Sequence, residues 1–111
     1  MLNKKYRLKK NSEFNFVFRK GEKFPSRFFI FLFTKTNSKL PKFGIIVSKK
    51  QGKATKRNQI KRKFRAAIYK NIKLFKDNYY YIFIARQTDN ISVESLSKSI
   101  YFVLEKNNLL V

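Results

Sequence analysis

A dense run of basic side chains between Lys49 and Arg65 is the strongest candidate for a binding surface in this sequence. It reads KKQGKATKRNQIKRKFR, in which nine of seventeen residues are Lys or Arg and none is acidic. Asn58, Arg62 and Arg65 are spaced i, i+4 and i+7, so a helix would place them on one face, beside Lys61. Arginine offers paired donors that match phosphate oxygens, and asparagine can hydrogen-bond a base edge, a ribose hydroxyl or a metal-bound water. The pattern predicts a phosphate-binding face.

The competing interpretation of this segment is a solvated, lysine-rich helix surface. Like charges one turn apart destabilise a helix, so solubility alone does not explain an acid-free face. The overall charge favours binding, because the 111-residue chain has 27 Lys and Arg but only 6 Asp and Glu, a formal net charge of +21. Nucleic acid relieves the self-repulsion of such a fold and releases counterions. An anionic membrane surface is the alternative partner, but it suits an amphipathic helix better than a chain with several strand-like segments.

Residue types that usually carry hydrolysis are scarce. The chain has no Cys and no His, which removes thiolate metal sites and the commonest general base. Its carboxylates are scattered, with no tight acid/base or metal-binding spacing: Glu13, Glu22, Asp77, Asp89, Glu94 and Glu105. These observations argue against a self-sufficient hydrolase site.

Aromatic side chains are the second feature that could bind RNA, because unpaired bases stack on them. Phe14 and Phe18 lie one turn apart in a predicted first helix. In the run RFFIFLFT, alternation places Phe29, Phe31 and Phe33 on one sheet face and Phe28, Ile30 and Leu32 on the other. One of these two sets must belong to the core, so most of the rings are expected to be buried.

Periodicity predicts the elements that position these residues. After a basic, flexible arm at 1–10, a helix capped by Asn11 or Ser12 ends at Gly21. Strands follow at 27–34 and 43–48, paired as a hairpin, then a long helix over about 55–75 with Ile60 and Phe64 on its buried side. A strand at 79–86 and a last helix capped by Ser92 complete one domain, 1–111, with an α/β (α+β) sandwich fold. The chain shows neither a signal-peptide pattern nor an apolar span, so we expect a cytoplasmic protein.

Three ordered motifs resemble the protein family of bacterial ribonuclease P. The family's R-N-R-hydrophobic-K-R-x-x-R helix follows a strand ending in V-S-K-K and a Gly-containing loop, and it is matched by GIIVSKK at 44–50 and RNQIKRKFR at 57–65. The family's opening pattern LKK-x-x-x-F-x-x-V-F-x-x-G is matched by LKKNSEFNFVFRKG at 8–21, and IAR ends the strand at 79–86. The resemblance covers nearly the whole chain. It implies an α-β-β-β-α-β-α fold, like domain 2 of a ribosomal small-subunit protein, with a left-handed βαβ crossover.

The resemblance also implies a function. A protein subunit of this family helps a catalytic RNA remove the 5′ leader of precursor tRNA. The Mg²⁺ ions are held mainly by the RNA, and no catalytic or metal-binding residue is expected in the protein. The implied partners are ribonuclease P RNA and precursor tRNA, with no membrane and no required protein partner. The alternatives are a structural ribosomal RNA-binding protein and a stand-alone nuclease, and the latter would need a carboxylate cluster.

The resemblance assigns two groups of site residues to the positions of this chain that match the family's motifs. The implied contacts to the catalytic RNA are Lys49, Lys50, Lys53, Arg57, Asn58, Lys61, Arg62 and Arg65. The implied cleft for the leader consists of Phe14, Phe18, Leu32 and Lys49. The sequence departs from the family pattern twice: Gln59 replaces the usual third-position Arg, and Leu32 stands where relatives often place Tyr. The lost charge weakens the expectation of a direct contact at Gln59. Phe31 or Phe33 would take the place of the Tyr only if the strand register shifted by one, which would reverse the two faces.

Overall fold

A computed structural model describes residues 2–86 and 88–111 and contains a four-stranded sheet with helices on both faces. Its elements, in chain order, are α1 (Asn11–Lys20), β1 (Glu22–Pro25), β2 (Phe29–Lys35), β3 (Lys42–Ile46), α2 (Ala54–Lys70), β4 (Tyr79–Ala85) and α3 (Val93–Lys106). Short 3₁₀ turns lie at Lys4–Tyr6, Lys49–Gln51 and Ile72–Leu74. The α-β-β-β-α-β-α order and the α+β class are confirmed, and the hand of the crossover stays a prediction.

The strand order is β1-β2-β4-β3, so the predicted hairpin between the second and third strands is wrong. β4 lies between them, antiparallel to β2 and parallel to β3. Its sequence YYYIFIA is apolar along its whole length, as expected of a strand covered on both faces, and this favours a central position. The parallel pairing of β3 with β4 requires a crossover, which α2 supplies.

The main core lies between the sheet and the helices α2 and α3. Phe29, Phe31 and Phe33 all point into it, which settles which face of β2 is the aromatic core. The predicted buried stripe of α2 is confirmed, because Ile60 and Phe64 are buried and so are the residues that follow them on the same side, Ala67, Ile68 and Asn71. The apolar side of α3 faces the same core, with Leu96, Ile100, Val103 and Leu104 fully buried and Val93 half-buried.

A smaller core covers the opposite face of the sheet, beneath α1. Val17 of α1 packs there with Leu32 and Ile82 of the sheet, together with Leu8 from the N-terminal segment. Phe14 crosses this face directly above Gly44 of β3. Both faces of the sheet are therefore covered, which explains why the strand sequences are apolar rather than alternating.

Gly44 makes room for Phe14, and we expect Gly44→Ala to displace that ring. A Cβ built at Gly44 would lie 2.5 Å from Phe14 Cε1 and 3.2 Å from Leu8 Cδ1, closer than packed atoms tolerate. The substitution should lower the free energy of unfolding, measured in urea, by about 1–3 kcal/mol. In a Phe14→Ala background the same change should cost much less, and equal costs in both backgrounds would contradict this contact.

The N-terminal segment, which was predicted to be a flexible arm, packs against the sheet. Leu2 and Leu8 are buried, and the Leu8 amide donates a hydrogen bond to the Phe43 carbonyl at 2.9 Å. Arg7 forms a parallel bridge with Phe43, so the segment runs beside β3. The absence of periodicity concealed this packing, in which Leu2 and Leu8 are buried and Tyr6 packs against the main core.

The predicted ends of two helices differ from the observed ones. Lys10, rather than Asn11 or Ser12, is the N-cap of α1, and the Glu13 carboxylate accepts hydrogen bonds from the Lys9 and Lys10 amides. Gly21 ends the helix as predicted. The long helix ends at Lys70 rather than near residue 75, because the buried Asn71 side chain donates to the Ala67 carbonyl and to Ser97 of α3. The predicted cap of the last helix is confirmed, since the Ser92 hydroxyl accepts from the Ser95 amide.

Candidate nucleic-acid interface

The basic face of α2 forms a rigid ridge, which we define as Arg57, Asn58, Lys61, Arg62 and Arg65. Asn58 and Arg62 are exposed, while Arg57, Lys61 and Arg65 are partly buried. The opposite side of the helix is fixed in the core by its apolar stripe, so the ridge residues project from a held backbone. Gln59, which departs from the family pattern, is exposed on the same helix.

Acidic side chains do not neutralise the ridge. In the described part of the chain, ion pairs join Lys42 to Glu13 at 3.5 Å and Lys56 to Asp89 at 2.9 Å, and neither includes a ridge residue. Burial would by itself raise the pKa of Glu13, but the two amide hydrogen bonds and the charge of Lys42 outweigh it and hold that pKa below the usual value. Glu13 is thus engaged on the α1 side of the sheet, away from the ridge.

Arginines crowd together at one end of the ridge, and sequence analysis missed one of them. Burial lowers the pKa of Arg65, and the charges of Arg7 and Arg62 lower it further, although the group stays protonated. The Nε atoms of Arg7 and Arg57 are buried without a hydrogen-bond partner among the described residues. Buried donors without partners cost about 1–3 kcal/mol each. An oxyanion placed beside Arg7 and Arg65 would relieve the charge repulsion between them.

A small cavity of about 100 Å³ connects this arginine cluster to the face beneath α1. Arg7, Lys61 and Arg65 line it on one side, and Phe14 and Gly44 line it on the other. The arginine cluster and the predicted leader cleft, which the sequence placed on separate elements, therefore border the same cavity. The signal for Arg7 was weak, because it is one of several cations in a segment without periodicity.

The loop before α2 carries the remaining predicted RNA contacts. Lys49, Lys50 and Lys53 are all exposed. The loop is held in place by Gln51, whose side chain donates to the Arg86 carbonyl at 2.7 Å and accepts from the Thr88 hydroxyl at 2.8 Å. This anchoring fixes the loop between the end of β3 and the start of α2, which carries the three lysines.

The same loop turns at Gly52. It has a φ of +128°, a conformation that residues with a Cβ rarely adopt. A Cβ at this position would also lie 2.8 Å from Lys56 Cδ. The position therefore requires glycine on two grounds.

The predicted leader cleft is only partly assembled from the expected residues. Phe14 is half-buried, Phe18 is 47% exposed on α1, and Leu32 is buried at the bottom with 7% exposure. Leu32 therefore forms the floor of this face rather than an open stacking surface. No described contact joins Lys49 to these three residues, so its place in the cleft stays a prediction.

Two aromatic residues missed by sequence analysis extend this face. The rings of Phe16 on α1 and Tyr80 on β4 meet edge-to-face with centroids 6.5 Å apart. Both line a depression of about 500 Å³ that also contains Lys35, Thr36 and Asn37. Tyr80 was one of three consecutive tyrosines, and only the strand register reveals which of them points towards α1.

Comparison with known proteins identifies the family. The family model for ribonuclease P matches residues 2–108. The chain belongs to the ribonuclease P protein family. It is 36% identical to the ribonuclease P protein component of Listeria monocytogenes serotype 4b, over 98% of this chain and 93% of that one. It is 40% identical to the component from Geobacillus thermodenitrificans, over 95% and 88% of the two chains.

Solved structures of ribonuclease P proteins have the same fold. The Staphylococcus aureus RNase P protein superposes with a TM-score of 0.83 at 30% identity, covering 96% of this chain and 98% of that one. The Thermotoga maritima RNase P protein gives a TM-score of 0.81 at 25% identity, covering 90% and 96%. The resemblance inferred from the three motifs is confirmed, and it favours the ribonuclease P assignment over the ribosomal alternative.

Family membership establishes the general role of the chain. It is an RNA-binding protein of tRNA processing and works within the ribonuclease P ribonucleoprotein enzyme. Among the described residues, no helix is long and apolar enough to span a membrane. The same residues contain no group of three or more acidic, His or Cys side chains arranged to hold a metal ion.

Proposed function

We propose that the ridge and the lysines before it bind the RNA subunit of ribonuclease P. The observation that carries this proposal is the arginine cluster, in which burial and the charges of Arg7 and Arg62 lower the pKa of Arg65, and the buried Nε donor of Arg7 lacks a partner among the described residues. A phosphate group supplies both the negative charge and the acceptors that this cluster lacks. The rigid backbone of α2 lowers the entropy lost on binding.

The face beneath α1 is proposed to hold the 5′ leader of precursor tRNA. Phe18 offers an exposed ring for stacking, Phe14 lies between that ring and the arginine cluster, and the shared cavity joins the two sites. A leader leaving the catalytic RNA at the ridge would pass directly onto this aromatic face. The protein then increases affinity for substrates that still carry a leader.

Phosphodiester hydrolysis is assigned to the RNA subunit and its Mg²⁺ ions. Mg²⁺ prefers clustered oxygen ligands, whereas two of the six carboxylates, Glu13 and Asp89, are already held by hydrogen bonds and lysine partners. The chain's own residues neutralise phosphates, position the leader and favour the folded RNA. We place this activity in the cytoplasm, in one domain that needs no further protein partner.

Reconstitution with the cognate RNA subunit tests this proposal. At low Mg²⁺ we expect the protein to restore cleavage of precursor tRNA, because its cations replace part of the counterion requirement of the RNA. The measurement is single-turnover cleavage with and without the protein. Cleavage by the protein alone, or no effect of the protein on the RNA, would contradict the assignment.

A further inference from the structure

A second basic and aromatic surface lies at the opposite edge of the sheet. A groove of about 490 Å³ runs between α3 and the turn that joins β1 to β2. We call it the α3 groove and define it by Phe24, Arg27, Arg86, Lys98 and Phe102. None of its described lining residues is acidic.

Among the described residues, no acidic side chain pairs with the cations of the α3 groove. The guanidinium of Arg27 lies over the ring of Phe28 at 5.1 Å, and Arg86 makes a long 3.4 Å hydrogen bond to the Ser26 carbonyl. Neither of the ion pairs formed by the described residues includes Arg27, Arg86 or Lys98. Three positive charges around one concave surface attract a polyanion.

Phe102 gives this groove a stacking surface. Its neighbours Ile100, Val103 and Leu104 anchor α3 in the core, so Phe102 is left on the outer side, where it is 49% exposed. The ammonium group of Lys106 lies over the ring, 5.6 Å from its centroid. An exposed ring surrounded by cations has the combination that binds unpaired bases together with their phosphates.

The α3 groove is separate from both sites described above. Its strand, β1, is at one edge of the sheet, whereas β3, which leads into the ridge, is at the other. Three inter-strand spacings of about 4.8 Å place these strands roughly 14 Å apart. Phe24 also packs on the α3 side of the sheet, opposite the face covered by α1.

We propose that the α3 groove binds a single-stranded segment of RNA, with a base on Phe102 and its neighbouring phosphates on Arg27, Arg86 and Lys98. Charge complementarity and the exposed ring together favour RNA over an acidic protein. This contact lies beyond the proposed function and does not depend on the ridge. It would let the protein touch RNA at two edges of the sheet.

The chain contains no Trp, so Phe102→Trp introduces a single fluorescent reporter inside the groove. We expect an oligoadenylate of about six nucleotides to quench this fluorophore as a base stacks on it. Tyr101→Trp is the matched control, because Tyr101 is the adjacent residue, is 44% exposed and does not line the groove. Equal quenching of both reporters would overturn the proposal.

Charge variants in the Phe102→Trp protein separate this groove from the ridge. Replacing Arg27 and Lys98 by glutamine should raise the oligoadenylate concentration at the quenching midpoint about tenfold or more. The same change should reduce the slope of log K against log salt by about 1.4. Replacing Arg62 and Arg65 instead should leave the midpoint within about twofold, since those residues lie at the other edge. Loss of quenching only in the ridge variant would overturn the α3 groove and leave the proposed function intact. If an oligoglutamate peptide displaced the oligoadenylate and bound more tightly than it, the groove would be assigned to an acidic protein and the proposal would also be overturned.

Discussion

Replacing Arg62 and Arg65 together by glutamine is expected to weaken binding to the ribonuclease P RNA by roughly a hundredfold or more. Each charge-assisted hydrogen bond to phosphate contributes about 1.5–3 kcal/mol, and tenfold in affinity corresponds to about 1.4 kcal/mol. The same variant should flatten the salt dependence of binding, because fewer counterions are released. Filter binding of the RNA subunit over a range of salt concentrations measures both quantities.

The double variant should not unfold the protein. Arg62 is exposed, and Arg65 is partly buried beside like charges, so removing both relieves repulsion in the free state. We therefore expect an unchanged or higher free energy of unfolding. Lys70→Gln with Lys73→Gln is the matched control, since it removes two exposed charges, one at the last residue of α2 and one in the 3₁₀ turn that follows. If the control lost as much affinity as the arginine variant, net charge rather than the ridge would explain binding.

Phe18→Ala is expected to lower affinity for leader-bearing precursor tRNA by about fivefold to a hundredfold, because one stacked base contributes about 1–3 kcal/mol. Affinity for mature tRNA should hardly change, since the leader is absent. Phe18 is 47% exposed, so its removal should cost little stability. The measurement is the dissociation constant of the reconstituted enzyme for substrates with and without a leader.

A surface aromatic far from this face provides the control for this variant. Tyr101 has a similar exposure but lies on α3, on the other side of the sheet. Tyr101→Ala should leave the preference for leader-bearing substrate unchanged. Equal losses on both substrates after Phe18→Ala would place Phe18 in general RNA binding and remove the main support for the cleft.

The connection between the two proposed sites depends on Arg7. This residue belongs to the N-terminal segment, yet its charge acts on Arg65 of α2, and its side chain lines the same cavity as Phe14. The segment reaches this position because Leu8 is buried beneath α1 and its amide pairs with Phe43 of β3. Packing of two leucines thus delivers an additional cation to the ridge.

Features that depend on neighbours along the chain could be predicted from the amino-acid sequence. The apolar stripe containing Ile60 and Phe64 fixed which side of α2 would be buried, and this placed Arg62 and Arg65 outward. Helical periodicity is a local property, so a single segment contains all the information needed to read it. The family motifs extended this to the order of the elements, including β1, whose short, mostly exposed sequence carries almost no strand signal.

Contacts between distant segments could not be predicted in this way and became visible in the folded structure. The hairpin prediction failed because β2 and β3 follow each other in the chain and both have strand composition. The apolar sequence of β4 favours a central position but does not show which two strands it separates. The two faces of β2 were likewise indistinguishable, since helices cover both and no polar alternation remains. The position of Arg7 beside Arg65 follows from the same cause: long-range contacts are chosen by the total burial of the fold, which no single segment encodes.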